Sequence, residues 1–320
     1  MSHSAPEIRS SEATDADCHA HNLRNWQQRY DQLSNGQFFG RIDELALENA
    51  QVFVEHTSQA LHQHCVVWPD AVWLGFAAGA QACRIDGLEV TPDQVMVRPG
   101  SYDFELITPA GFDIYGVVVS QAALLRVAEI QGLTLDERAW LQPRKSSRPE
   151  PLAALRGMLP HFLAPTPTGA SADWQQDLLL TTAIEVLQQQ AMDAGVKSSY
   201  ARRKAVVDRV QAYLEANSQN PVTITELCEL THVSRRTLQY SFESILGINP
   251  ARYLRTVRLN NVRRVLSRPT MEDTTISAIA AEWGFWHLGQ FAHDYKQLFG
   301  ENPSMTLARG REGKSWSLGG

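Results

Sequence analysis

Arg235, Arg236, Gln239 and Tyr240 fall within one short stretch that reads as a helix. Guanidinium and carboxamide groups present forked hydrogen-bonding edges that match guanine and adenine in the major groove of DNA. Ser234 stands just before them, where a hydroxyl caps a helix N-terminus. His287, Gly289, Gln290 and His293 occupy the corresponding face of a second such stretch. Between the two lie Arg255 and Arg258, cations of the kind that meet phosphates. Together these are the candidate DNA-binding residues. The alternatives are that Tyr240 packs against the linker instead of reaching a base and that Arg252, Arg255 and Arg258 form a solvated face, although phosphate contact is the better reading of the arginines.

The elements that would position them are written twice. Ile224 is matched by Ile276 and Val233 by Phe285, each 52 positions on. Leu238 is matched by Phe291, Phe242 by Tyr295, Gly247 by Gly300 and Pro250 by Pro303, each 53 on. A repeat of this period with a fixed apolar skeleton marks a duplicated supersecondary unit. In each copy a short helix, a tight turn and a second helix with apolar residues at spacings of three and four are expected, closed by a glycine suited to the αL cap. Each copy is therefore a helix-turn-helix unit. The stretch from Ala251 to Ser267 reads as a linker helix, roughly 25 Å long at about 1.5 Å per residue. Arg252, Arg255, Arg258, Arg263 and Arg264 are expected on its polar surface.

SRRTLQYSF, the arginine-rich linker and GFWHLGQFAHDYKQLFGENPS resemble the DNA-binding domain of AraC/XylS-type transcription regulators. Gly284, Phe285, Phe291, Lys296, Leu298, Phe299, Gly300 and Pro303 match that family's signature region, and His293 stands where a basic residue is usual. The resemblance implies two helix-turn-helix units on one face of double-stranded DNA. Charge agrees. From Val196 to Gly320 there are 17 Lys and Arg against 11 Asp and Glu, a net of +6, whereas the preceding residues carry the other 12 basic and 24 acidic, a net of −12. The basic part contains the repeats, as a nucleic-acid-binding domain should.

The front half alternates short β-forming segments with Gly and Pro turns, the pattern of an antiparallel barrel or sandwich. WQQRYDQL, with Trp26, Tyr30 and Leu33 at spacings of four and three, reads as a helix. After Ser120 the pattern becomes helical. The expected fold is α+β in two domains: an N-terminal cupin-like antiparallel β-barrel with flanking helices, then an all-α domain with two helix-turn-helix units and a linker helix. The divisions expected are a disordered tail over 1–25, a β-rich effector-sensing domain over 26–122 and its helical part over 123–195. A linker over 196–205, the DNA-binding domain over 206–310 and a tail over 311–320 complete the chain. The apolar face of the helix over 173–193 serves a packed core or a homodimer contact.

WQQRYDQL, QVFVEHTSQAL, CVVWPD, RPGSYDFELITP and GVVVS resemble the sensor of the ethanolamine-utilisation regulators within the same family. That resemblance implies a transcription activator acting on RNA polymerase in response to ethanolamine, with adenosylcobalamin as a second effector; neither composition nor spacing points to cobalamin. An ammonium ligand wants carboxylates and aromatic faces in a dry pocket. The candidate effector-binding residues are Glu55, Trp68, Trp73, Arg98, Asp103 and Glu105. In strand alternation Asp103 and Glu105 share one face, so water-facing carboxylates over an aromatic core explain them equally.

His56, His62 and His64 form the one cluster suggesting other chemistry, and the HxH pair is similar to the metal-binding face of cupin-type enzymes. Such a site also wants a Glu just downstream and a later His in the barrel. VVWPDAV follows instead, and the next His is His161, so no metal is expected. No Ser-His-Asp arrangement, phosphate loop or GxGxxG is present, and no enzyme is expected. Four dispersed cysteines, the lack of an apolar leader and the lack of an apolar run of about 18 residues point to a cytoplasmic protein with no membrane partner. The alternatives carried forward are a regulator of another small-molecule catabolic operon and a metal-dependent cupin-type enzyme fused to a DNA-binding domain.

Overall fold

The computed structural model describes all residues except 1–6, 147–148, 165–170, 189–197, 218–219, 269–274, 312–316 and 319–320. Two antiparallel sheets form the front half. The larger runs in the order Arg144–Ser146, Gln94–Pro99, Ala71–Ala77, Phe112–Ser120, Ala50–Thr57, Gly40–Ala46, Ile8–Ala13 and Ser317–Leu318. The smaller runs Gln27–Gln32, Leu61–Val66, Asp103–Thr108, Cys83–Ile85 and Leu88–Val90. Alternation explains their contact: Leu61, Cys65, Phe104 and Leu106 of the smaller sheet meet Ile42, Phe53, Trp73 and Met96 of the larger in one buried core. Among the described residues no ladder joins the sheets, so they pack as two layers and the expected barrel is not closed.

The helices are α1 (Ala16–Ala20), α2 (Gln121–Ile130), α3 (Pro149–Phe162), α4 (Ala172–Leu187), α5 (Ser198–Ala216), α6 (Ile224–Thr231), α7 (Arg235–Leu246), α8 (Pro250–Leu266), α9 (Ile276–Glu282), α10 (Leu288–Phe299) and α11 (Pro303–Arg311). Helices α2 to α4 cover the outer face of the larger sheet in a second core. The apolar face of α4 (Leu179, Ala183, Val186 and Leu187) is used up there, which accounts for its pattern without a dimer.

Several expectations are corrected. The tail over 1–25 is ordered from Ile8: a strand pairs with Gly40–Ala46, and Asp15 caps α1 by accepting from the amides of Asp17 and Cys18. WQQRYDQL is a strand, not a helix. Residues four apart share a face in both conformations, so Trp26 and Tyr30 did not discriminate; pairing with Leu61–Val66 decides. The linker over 196–205 is helix α5 from Ser198 onward, its first two residues lying outside the described ones. Lys145, in the stretch after Ser120 whose pattern reads as helical, is buried in a strand paired with Gln94–Met96.

The back half follows the duplication. α6 and α7 form the first unit, α9 and α10 the second, and Gly247 and Gly300 end the second helices with φ of 71° and 73°. The one-residue slip falls in the turns, where His232 (φ 54°) corresponds to Gly284 (φ 75°). Helix α8 belongs to two cores: Tyr253 and Leu254 pack with α5 to α7, and Leu259, Val262 and Leu266 with α9 to α11.

Candidate nucleic-acid interface

The first reading helix, α7, begins where the Ser234 hydroxyl accepts from the Thr237 amide at 3.2 Å. Leu238, Phe242 and Ile245 are buried on its inner face, which turns Ser234, Arg235, Arg236, Gln239 and Tyr240 outward, all exposed. Gln239 donates to Glu243 Oε1 at 3.0 Å, and Arg203 lies 5.3 Å over the Tyr240 ring. Tyr240 thus packs against α5 on one face and remains 59% exposed on the other.

The second reading helix, α10, buries Phe291, Tyr295 and Leu298 and exposes His287, Gly289, Gln290 and His293. Its entry depends on Gly284: at φ +75°, an added Cβ would come within 2.7 Å of Pro221. Asp294, a residue the sequence reading passed over, is buried in α10 and accepts from Gln290 Nε2 at 2.8 Å and from Arg255 of the linker helix. One carboxylate therefore orients the Gln290 amide and a linker guanidinium. Arg258 sits 5.1 Å over the Phe285 ring, its stem part-buried. Trp286 and Leu288, at the start of α10, are large apolar side chains left exposed. They are absent from the sequence-based candidates.

The sensor grips the other ends of both readers. Helix C-termini leave carbonyls without partners. Arg84 donates to the Ser244 carbonyl of α7 at 2.5 Å, while Gln32 Nε2 and the Gly36 amide donate to the Leu298 carbonyl of α10 at 2.6 and 3.0 Å. Asn260 of α8 pairs with the Gln32 backbone in both directions at 3.0 Å. Arg264 reaches Asp17 and Asp31, each at 2.7 Å, and Arg263 reaches Asp15 and Glu301. Burial pushes Asp31 and Asp15 up, but the guanidiniums of Arg264 and Arg263 outweigh it and hold both carboxyls below their ordinary value. Arg263 and Arg264 were expected on the linker's polar surface. They are instead the bolts of the domain interface, because the acidic sensor supplies their partners.

The six effector candidates occupy three environments. Glu55 and Trp73 are inside the sheets: Glu55 accepts from the Tyr30 hydroxyl at 3.0 Å and faces His19 Nε2 at 3.1 Å, and Trp73 stacks on Phe104 with centroids 4.9 Å apart. Trp68 packs at the edge of the same core. Arg98 pairs with Asp86 and donates to the Leu141 carbonyl. Asp103 is exposed, and Glu105 faces the DNA-binding domain, accepting from Gln211 of α5 at 2.7 Å. They do not converge. A cleft of about 600 Å³ opens instead between sensor and linker helix, with Asp31, His64, Glu215, Tyr253, Arg264 and Trp283 in its lining. His56 is not part of the histidine cluster: it pairs with Asp113 at 2.8 Å on the larger sheet.

The helix-turn-helix domain family matches residues 227–309. The probable thc operon regulatory protein of Rhodococcus erythropolis is 41% identical over 95 residues, 30% of this chain and 29% of that protein. XylDLEGF operon transcriptional activator 2 of Pseudomonas putida is 38% identical over 117 residues, which cover 35% of this chain and 74% of the relative. The chain belongs to the AraC family of transcription regulators. A probable AraC family transcriptional regulator from Rhodopseudomonas palustris, known from its crystal structure, is 42% identical across 33% of this AraC-family chain and 98% of its own, with a TM-score of 0.31. The kinship rests on identity and not on superposition. The AraC-family chain spans less than a third of the Rhodococcus relative's length, 29%. No helix among its described residues is long and apolar enough to cross a membrane.

Proposed function

We propose that the chain is a sequence-specific DNA-binding transcription activator in which the sensor sets the placement of two reading helices. The observation that carries this is the asymmetry of α7 and α10. Their N-terminal residues are exposed, as base-reading ends must be, while their C-terminal carbonyls are held by one sensor. In this reading Arg236 and Gln290 read bases, Ser234, Arg235, Gln239, Tyr240, His287, Gly289 and His293 complete the two surfaces, and Arg255 and Arg258 meet phosphates. Anisotropy titration of a labelled operator against a shuffled duplex at fixed salt tests it, with preference for the operator of about a thousandfold or more expected. Equal affinity for both duplexes would refute it.

The effector site fits the interdomain cleft better than the sheet interior. Ethanolamine, the effector implied by the sensor's resemblance, is a small cation; the cleft offers the rings of Tyr253 and Trp283 and the carboxylates of Asp31 and Glu215, which a cation would share with their present partners Arg264 and Arg29. A cleft of about 600 Å³ suits a ligand of drug size or less, not a corrinoid with its nucleotide arm, so the residues do not fit adenosylcobalamin and no role is derived for it. Calorimetry of the full chain with ethanolamine and with adenosylcobalamin, singly and together, decides between this effector and that of another catabolic operon. A contact with RNA polymerase, a homodimer and a cytoplasmic setting belong to the same proposal, the first two without assigned residues.

A further inference from the structure

The outer face of the smaller sheet carries a group that DNA reading does not use. His62 and His64 are two apart on the Leu61–Val66 strand and so share a face, and Glu105 lies directly opposite His64 across the ladder. This face turns toward α5 and α8, away from the core between the sheets. A ligand search along the sequence therefore looks in the wrong place: the carboxylate comes from a strand some forty positions on, by register.

Buried polar atoms are ordinarily hydrogen-bonded. Here both ring nitrogens of fully buried His62 and Oε2 of Glu105 have no hydrogen-bond partner among the described residues. The separations are 3.5 Å from His62 Nε2 to Glu105 Oε1 and 3.6 Å from His64 Nδ1 to the same oxygen. One donor atom from each of the three residues lies within 4.8 Å of the others. Ligands about 2.1 Å from a tetrahedral zinc ion stand about 3.4 Å apart, so the gaps that are poor for hydrogen bonds are close to the edges of a coordination tetrahedron.

We propose that His62, His64 and Glu105 bind a divalent transition-metal cation, zinc by its donor set, in the seam between the sensor and the DNA-binding domain. Two imidazoles and one carboxylate leave a fourth position open, and His64 also lines the cleft through which an ion and its water would enter. The supports come from the other domain. Gln211 of α5 donates to Glu105 Oε1 at 2.7 Å, and the Tyr253 ring of α8 packs on His62 with centroids 5.9 Å apart. Lys204 of α5 lies 4.0 Å from Glu105 Oε2 and also pairs with Asp208. A cation on Glu105 displaces that ammonium toward Asp208, so occupancy changes a contact between the domains.

The test uses the full chain, stripped by chelator and dialysed, and titrated with zinc chloride against a chromophoric chelator. One equivalent per chain and a raised melting temperature are expected, and cobalt(II) in place of zinc should give the intense visible bands of a four-coordinate site. His62→Ala opens a fully buried position and tests folding as much as binding. His64→Ala and Glu105→Gln are therefore the deciding variants. Each should keep its far-ultraviolet circular dichroism and lose affinity by at least about tenfold, the lower range for outer-shell losses. Absence of a stoichiometric site, or unchanged affinity in both variants, overturns the proposal. Neither outcome bears on whether the chain binds DNA.

Discussion

Arg264 of the linker helix donates to Asp31 of the sensor at 2.7 Å across 233 positions of sequence, with side chains only 15% and 4% exposed. The linker helix thus faces three ways. It contributes to both reader cores through its apolar residues, presents Arg255 and Arg258 beside the second reader, and is bolted to the acidic sensor through Asn260, Arg263 and Arg264. The Gln27–Gln32 strand is joined to this helix by Asn260 on the Gln32 backbone and by Arg264 on the Tyr30 carbonyl and the Asp31 carboxylate.

Removing one partner of a buried pair leaves the other uncompensated. Arg264→Ala should therefore lower stability by on the order of 3 kcal/mol in urea unfolding at neutral pH. Asp31 has its folded pKa lowered by Arg264 against its burial, so the pair's stabilisation is fully present above the ordinary carboxylate value of 3.8 and is lost as pH falls from there through the lower folded value. The gap between the wild type and the variant should narrow below about pH 4. A gap of constant size into acid would show that packing, not charge, was lost.

Arg236→Ala should weaken specific binding by about 1–3 kcal/mol and relax base preference at one operator position. Arg236 is exposed on the first turn of α7, and among the described residues no hydrogen bond or ion pair holds it, so folding should be unaffected. A footprinting series with unchanged affinity and preference would remove it from the base-reading set.

Arg258→Ala should weaken binding to all sequences alike and make the dependence of log K on log salt shallower by about 1. A salt titration checks this. An unchanged slope would assign Arg258 to packing on Phe285 alone.

Gly284→Ala should destabilise the second unit by about 1–2 kcal/mol for the left-handed backbone alone, with the approach to Pro221 adding to it. The expected readout is a lowered melting temperature together with loss of contacts made by α10 and retention of those made by α7. Equal loss from both units would mean that they fold as one.

The reader domain was legible because its constraints are local. Apolar spacing, the cap at Ser234 and glycines at 247 and 300 each declare themselves within a turn or two. Most strands over 40–120 were legible as strands for the same reason; Gln27–Gln32 was not, because a four-residue spacing fits either period, nor were Ile8–Ala13, Arg144–Ser146 and Ser317–Leu318, which are short or polar and declare themselves only by pairing. What could not be read was what lies across a seam. Arg263 and Arg264 looked like surface cations because Asp15, Asp17 and Asp31 are more than two hundred positions away. Asp294 looked like an ordinary acidic residue because its partner Arg255 is on another helix. Glu105 reached His64 only through ladder register.

The most direct test is a hydroxyl-radical footprint of the full chain on its operator. Two protected major-groove segments one helical turn apart, about 10 base pairs centre to centre, are predicted. Arg236→Ala should fade one of them and Gln290→Ala the other. A single protected segment, or both fading together in either variant, would contradict a protein that reads DNA with two helices held by one sensor.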